Sequence, residues 1–311
     1  MISDKMKDLA TKICGIKLKN PLVLASGIMG VTASSLINMV SNGAGAVTMK
    51  SLGVEERKGH HCPILASWEA GFINAVGLSN PGIENGIEEI KEYKRRCDAP
   101  IIASIFAFKT EDFGILAEKV ANANPDFLEI NISCPNVEDE AGRPFAYSPE
   151  MAGKITKIVK NKTGIPVIVK LNGTGILILK EIAKSVEKAG ADAINMGNTL
   201  GPGLLINIEA AKPILSNRFG GMSGPAIKPF TLKCIWDIYE TVKIPIIGTG
   251  GVVAGRDAVE MLMAGASAVG IGTGVYYRGL DVFRKVNDEI SEFMEKNNYS
   301  SIKEMVGKAH V

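Results

Sequence analysis

Two lysines stand where lysine is least expected, directly after apolar runs: Val47-Thr-Met-Lys50 and Val167-Ile-Val-Lys170. One such lysine reads as a solvated charge. Two, on separate runs, would converge their ammonium groups on something anionic or electron-accepting. Near the other end of the chain, Gly-Thr-Gly-Gly at 248–251 and Gly-Ile-Gly-Thr-Gly at 270–274 expose backbone N–H groups without side chains in the way. Tight turns call for glycine on their own account, but two such turns on consecutive final strands point to a bound phosphate. A third feature is Asn131-Ile-Ser-Cys-Pro-Asn136, a thiol between two amides with a proline that ends regular strand pairing. A free cysteine is commonly a small buried hydrophobe. Between asparagines that can hold a polar heterocycle, Cys134 is instead a candidate general base or covalent nucleophile. Of the three histidines, His60, His61 and His310, none follows an apolar run to pair with it. His60-His61 reads as solvated loop surface, and no metal site is expected.

These residues need elements to bring them together. Eight short apolar runs end in polar or glycine residues: Pro21–Gly27, Ala44–Lys50, Pro100–Ala107, Asp126–Cys134, Pro166–Leu171, Ala191–Asn198, Ile244–Gly251 and Ala266–Gly274. Amphipathic stretches such as Ile176–Ala189 and Arg256–Ala264 alternate with them, and Ala-Gly-Ala marks where a helix ends and a strand starts. The pattern predicts an α/β chain folded as a (β/α)8 TIM barrel, with Ser26, Lys50, Ser104, Asn131 and Cys134, Lys170, Asn198 and Thr199, Gly250-Gly251 and Gly272-Thr273 at the strand exits. Two longer stretches, Gly53–Gly82 and Pro135–Glu150, follow strand ends and read as long irregular active-site loops. No composition shift divides the chain, so residues 1–311 are expected to form one domain, with Ile16–Lys19 an N-terminal strand and Asp281–Ala309 a closing helical tail.

Composition narrows the ligand. At 311 residues and 46% hydrophobic the chain can bury a full core, and a net charge of +2 without charge runs gives no footprint for nucleic acid or a membrane surface. Two tryptophans, and no Gly-x-Gly-x-x-Gly after the first strand, favour a compact mononucleotide such as FMN over a dinucleotide. An odd count of five cysteines without a Cys-x-x-Cys pair resembles a reduced intracellular set, and the N-terminus carries no apolar signal core, so a cytoplasmic chain is expected.

Four segments resemble, in chain order, the signatures of class 1 dihydroorotate dehydrogenases: Asn74-Ala-Val-Gly-Leu-Ser-Asn-Pro-Gly82, Asn131-Ile-Ser-Cys-Pro-Asn136, Gly220-Gly-Met-Ser-Gly-Pro-Ala-Ile-Lys-Pro229 and Ile246-Ile-Gly-Thr-Gly-Gly251. The first is more similar to the 1B class, which works with an iron–sulfur and FAD subunit and NAD, than to the fumarate-linked 1A class. The resemblance implies an FMN flavoprotein of pyrimidine biosynthesis that oxidises (S)-dihydroorotate to orotate, with hydride passing from C6 to flavin N5. By position, Cys134 matches the base that removes the C5 proton. Substrate-contacting positions match Lys50, Asn74, Gly77, Leu78, Asn131, Asn136, Asn198 and Thr199. Flavin-contacting positions match Ser26, Lys50, Ser51, Asn131, Lys170 and Gly197, and further along Gly224, Gly250, Gly251, Gly272 and Thr273. A homodimer joined to the electron-transfer subunit is implied as well.

Two departures stand out. Ser104 replaces an FMN-contacting asparagine, which shortens one polar reach, and Lys170-Leu-Asn-Gly-Thr-Gly175 replaces a Lys-Leu-Ser-Pro-Asn pattern. Competing readings are an FMN barrel reductase acting on another dihydropyrimidine, a non-redox phosphate-binding barrel enzyme, and a scaffold subunit. The last leaves Lys50, Cys134 and Lys170 unexplained together.

Overall fold

The computed structural model describes residues 8–132, 145–173 and 176–310. Eight parallel strands close into a barrel in chain order: β1 (Leu22–Leu24), β2 (Ala46–Thr48), β3 (Ile101–Ile105), β4 (Phe127–Asn131), β5 (Val167–Leu171), β6 (Ala193–Met196), β7 (Ile246–Thr249) and β8 (Ala268–Ile271). Each lies inside one of the eight predicted runs. Their Val/Ile/Leu/Ala content suits strands covered on both faces.

Helices α1 (Ala33–Ser41), α2 (Ile83–Arg96), α3 (Thr110–Ala121), α4 (Pro149–Lys160), α5 (Leu179–Lys188), α6 (Lys228–Tyr239) and α7 (Gly255–Met263) follow the first seven strands. The short α8 (Gly274–Arg278) and the closing α9 (Val282–Lys296) follow β8. The amphipathic stripe of α5 buries Leu179, Ile182, Ala183 and Val186, the spacing one helix face demands. Helix starts are written locally: Thr32 Oγ1 accepts from the Ser35 N–H at 3.3 Å, and Ser148 Oγ from the Met151 N–H at 3.2 Å ahead of Pro149. The Ala-Gly-Ala signal holds after α5 and α7, where Gly190 and Gly265 take positive φ, but after α1 the turn glycine is Gly43, two residues before the Gly45 of the motif.

Three elements differ from expectation. Ile16–Leu18 is a strand, but it pairs with Thr11–Ile13 as a hairpin whose Ile13 and Leu18 join the apolar layer at the N-terminal end of the barrel. Gly53–Gly82 is not irregular throughout. It carries the strands Leu65–Trp68 and Gly71–Asn74, which join Leu200–Gly203 and Gly220–Ser223 in a four-stranded antiparallel sheet. The second half of that sheet comes from a long β6–α6 insertion that periodicity did not single out, because its strands are short, half-buried and glycine-rich. Of Pro135–Glu150, the described part begins at Phe145 with a 3-10 turn and enters α4 at Pro149.

Inside the barrel the period-two alternation of strands sorts side chains into levels. The lowest is apolar: Val23, Ala46, Ile102, Phe127, Ile168, Ala193, Ile247 and Ala268. Two residues further along six of the strands stand Thr48, Ser104, Glu129, Lys170, Asn195 and Thr249, a polar belt. Two residues further again come Lys50, Asn131, Asn172, Gly197 and Gly251, which open onto a cavity.

Candidate active site

The cavity at the C-terminal face of the barrel has a volume of about 680 Å³, the size of a small-molecule or cofactor site. Its floor is the barrel mouth and its roof the four-stranded sheet. Ser26, Lys50, Ser51, Asn131, Lys170 and Gly197 line it from five of the first six strands, β3 contributing none of them. Gly250, Gly251, Gly272 and Thr273 line it from the last two turns, and Asn74, Gly77, Leu78, Asn198, Thr199 and Gly224 from the roof and its connections. These expected cofactor and substrate residues therefore meet at one place. Cys134 and Asn136 lie outside the described residues.

Lys170 is only 5% exposed, and among the described residues no acceptor is paired with its ammonium, so a buried positive charge faces the cavity. It is in register with Asn131 on β4 and Asn195 on β6. Asn131 Nδ2 donates to Ser51 Oγ at 3.2 Å, and Ser26 Oγ donates to the Met49 carbonyl at 2.9 Å. Asn74 Nδ2 donates to the Gly221 carbonyl at 3.3 Å, which fixes that amide between two roof strands.

The glycine turns form a cradle. Gly251 has φ +80°, and a Cβ there would sit 2.6 Å from Lys228 Cβ and 2.8 Å from its backbone. Gly250 has φ +145°, and its Cβ would meet Thr231 Oγ1 at 2.5 Å. Behind the turn, Asp257 accepts from the N–H groups of Val253 and Ala254 at 2.9 and 2.8 Å and pairs with Lys228 at 2.7 Å. Burial works upward on the Asp257 carboxyl, but Lys228 and the two N–H groups outweigh it and hold the pKa below the usual carboxylate range. After β8, the carbonyls of Gly272 and Thr273 accept from Val275 and Tyr276. That geometry opens α8 and engages the Val275 and Tyr276 N–H groups within its first turn, so the donors offered to the cavity are those of the glycine turns ahead of it. Bare N–H groups, two lysines and no side chain at the turns make a donor set that fits a phosphate and an anionic ring.

Sequence reasoning missed several residues. His60, read as solvated surface, lines the cavity: its N–H donates to the Val76 carbonyl at 3.0 Å, and a Cβ on Gly77 would meet its ring. The misplacement follows from taking its segment for an irregular loop. Asn80 is 5% exposed and ties the same segment together, its Oδ1 accepting from Gly53 and Gly82 and its Nδ2 donating to Leu78. Glu129, Asn195 and Thr249 of the belt were also missed, although stepping two residues back from Asn131 reaches Glu129. Ser104, marked as a departure, is wholly buried in that belt, below the cavity lining. Burial pushes the thiols of Cys14 and Cys234 up to about 12, so neither supplies a reactive thiolate. Among the described residues no group of three or more His, Cys, Asp or Glu is placed to hold a metal, and no helix is long and apolar enough to cross a membrane.

Comparison with known proteins gives one answer. The family model for dihydroorotate dehydrogenase matches residues 8–294. The "Dihydroorotate dehydrogenase B (NAD(+)), catalytic subunit" of Methanocaldococcus jannaschii is 47% identical over 307 residues, covering 97% of this chain and 98% of that protein. Its counterparts in Methanothermobacter thermautotrophicus and Pyrococcus abyssi are each 44% identical, over 97% of this chain and 98% and 99% of theirs. The fold is similar to that of the dihydroorotate dehydrogenase of Eimeria tenella solved with ferulenol, with a TM-score of 0.84 over 99% of this chain and 90% of that one at 22% identity. With a family match across most of its length and relatives of this identity and coverage, the chain belongs to the dihydroorotate dehydrogenase family.

Proposed function

We propose that the cavity holds FMN and that the chain oxidises (S)-dihydroorotate to orotate in pyrimidine biosynthesis. What supports the reading most is the meeting, on one cavity, of Lys50, Lys170, three asparagines and two glycine turns from separate strands. FMN, when bound, supplies the acceptor for the hydride that leaves C6 of the substrate. The chain does the rest. Gly250, Gly251, Gly272 and Thr273 hold the phosphate, while Ser26, Ser51, Asn131, Gly197 and Gly224 seat the remainder of the cofactor. Lys50 and Lys170 stabilise negative charge that develops on the ring. Asn74, Asn131, Asn136 and Asn198, with Lys50, Gly77, Leu78 and Thr199, offer donors and acceptors to the substrate's carboxylate and imide. Cys134, three residues after Asn131 in the sequence, takes the C5 proton as general base.

The relatives are named as NAD-dependent catalytic subunits, which supports a chain that works with another. In this reading a cytoplasmic homodimer joins an iron–sulfur and FAD subunit that passes electrons to NAD. The test is to purify the chain with and without a candidate partner subunit and offer NAD, fumarate and quinone as acceptors for dihydroorotate. A yellow chain that dihydroorotate bleaches, and that reduces NAD only with the partner, is the expected result. Rapid NAD reduction by the chain alone removes the partner, and a chain that takes up no flavin removes the reading.

A further inference from the structure

We propose that Glu129 is a positioning residue that sets the donor–acceptor polarity of the cavity floor, presenting Ser51 and Thr249 as acceptors, beside a Ser26 held by the Met49 carbonyl, to a ligand edge that carries N–H or O–H donors. The proposal rests on the reading of the cavity as a flavin and dihydropyrimidine site, and it deepens that reading.

Protons can be counted along two arms that start at one carboxylate. Glu129 is fully buried on β4, and its two carboxyl oxygens accept from different strands: Oε1 from Ser104 Oγ on β3 at 2.8 Å, Oε2 from Asn195 Nδ2 on β6 at 2.7 Å. A hydroxyl has one proton. Ser104 has committed its proton to Glu129, so in its 2.9 Å contact with Ser51 the Ser51 hydroxyl must donate. With its proton committed, Ser51 accepts from Asn131 Nδ2. Ser26 has given its proton to the Met49 carbonyl, so the Ser26 and Ser51 oxygens, 3.3 Å apart, turn lone pairs toward the cavity they line. On the other arm, the Asn195 amide is oriented by donating to Glu129, which leaves its Oδ1 to accept from Thr249 Oγ1 at 2.9 Å. Thr249 therefore also meets the cavity as an acceptor. One buried carboxylate thus orders hydroxyls and amides from several strands of the barrel.

Glu129→Gln is nearly isosteric but brings a donor. Its Nε2 must find an acceptor, so either Ser104 or Asn195 reverses, and the proton at the end of that arm is released toward the cavity. The experiment measures FMN affinity by fluorescence quenching, and thermal unfolding of the flavin-free protein, for Glu129→Gln, Ser51→Ala, Thr249→Val and the two double variants. We expect Glu129→Gln to weaken FMN at least tenfold and to shift the bound-flavin absorbance. One of the two partner substitutions should cost far less in the Glu129→Gln background than in the parent, in affinity and in unfolding alike. Should Glu129→Gln not fold, Ser104→Ala, which releases only the Ser51 proton, is expected to weaken FMN with the same spectral shift. Parent-like affinity and spectrum, or costs that simply multiply in both double variants, overturn the polarity assignment. If the parent takes up no FMN, the flavin reading falls, and the unfolding cycle on the flavin-free chain still decides whether Glu129 couples to Ser51 or Thr249.

Discussion

A thiol of ordinary pKa, about 8.5, is mostly protonated at neutral pH, so a cysteine acting as general base works faster as the solution becomes more alkaline. In stopped-flow measurements of flavin absorbance, reduction by dihydroorotate should quicken as pH rises through the pKa of Cys134. Cys134→Ser should keep FMN and orotate binding yet slow reduction by several orders of magnitude near neutrality, and Cys134→Ala should be slower still. Parent rates and pH profile in the alanine variant would remove Cys134 from the chemistry. Lys170 makes a different prediction. Its buried charge favours an electron-rich neighbour, so Lys170→Ala should lower the flavin's reduction potential, measured by dye equilibration on the folded, flavin-loaded variant. An unchanged potential counts against the assignment. Lys50 and Lys170 were legible because an apolar run that ends in lysine is costly unless something receives the charge. Glu129 was not, because it sits within Phe-Leu-Glu-Ile-Asn and only the alternation of the strand tells inside from outside.

Turns and helix starts hold the ligand cradle in shape. At the β7 turn, Gly251→Val would place its branched side chain against the backbone of Lys228, at a positive φ that valine rarely adopts. FMN retention through gel filtration should be lost while the circular dichroism of the barrel stays. The same turn is clamped by Asp257, whose carboxyl is held below its ordinary pKa. A group depressed in the folded state contributes stability that is complete above its unfolded pKa, about 3.9, and is lost as pH falls through the folded value. Asp257→Asn should therefore melt earlier at pH 7 and show a flatter loss of stability from about pH 5 downward. Parallel acid limbs in parent and variant would show that the clamp contributes nothing. The eight barrel strands could be read from sequence because each is a compact apolar run between turn residues. The roof could not, because the residues of Leu65–Trp68, Gly71–Asn74, Leu200–Gly203 and Gly220–Ser223 are stabilised by partners far along the chain rather than by their own pattern.

Across the whole molecule, sequence and fold agree because one periodicity does two jobs. Alternation along parallel strands sends one set of residues outward to the helices and stacks the other set inward, from the apolar layer through the polar belt to the cavity lining. The roof has a consequence of another kind. Its halves leave the barrel after β2 and after β6, on opposite sides of the ring, and they meet where Asn74 pairs with Gly221, 147 residues apart. Neither half has its partner within reach until the barrel strands that anchor it are in place, so the roof is expected to form upon the barrel. The enzyme should thus become a barrel before it becomes a binding site. On refolding from denaturant, the helical signal is expected to return first and FMN quenching to follow as a slower phase. Simultaneous recovery of both would show that the roof assembles with the barrel rather than upon it.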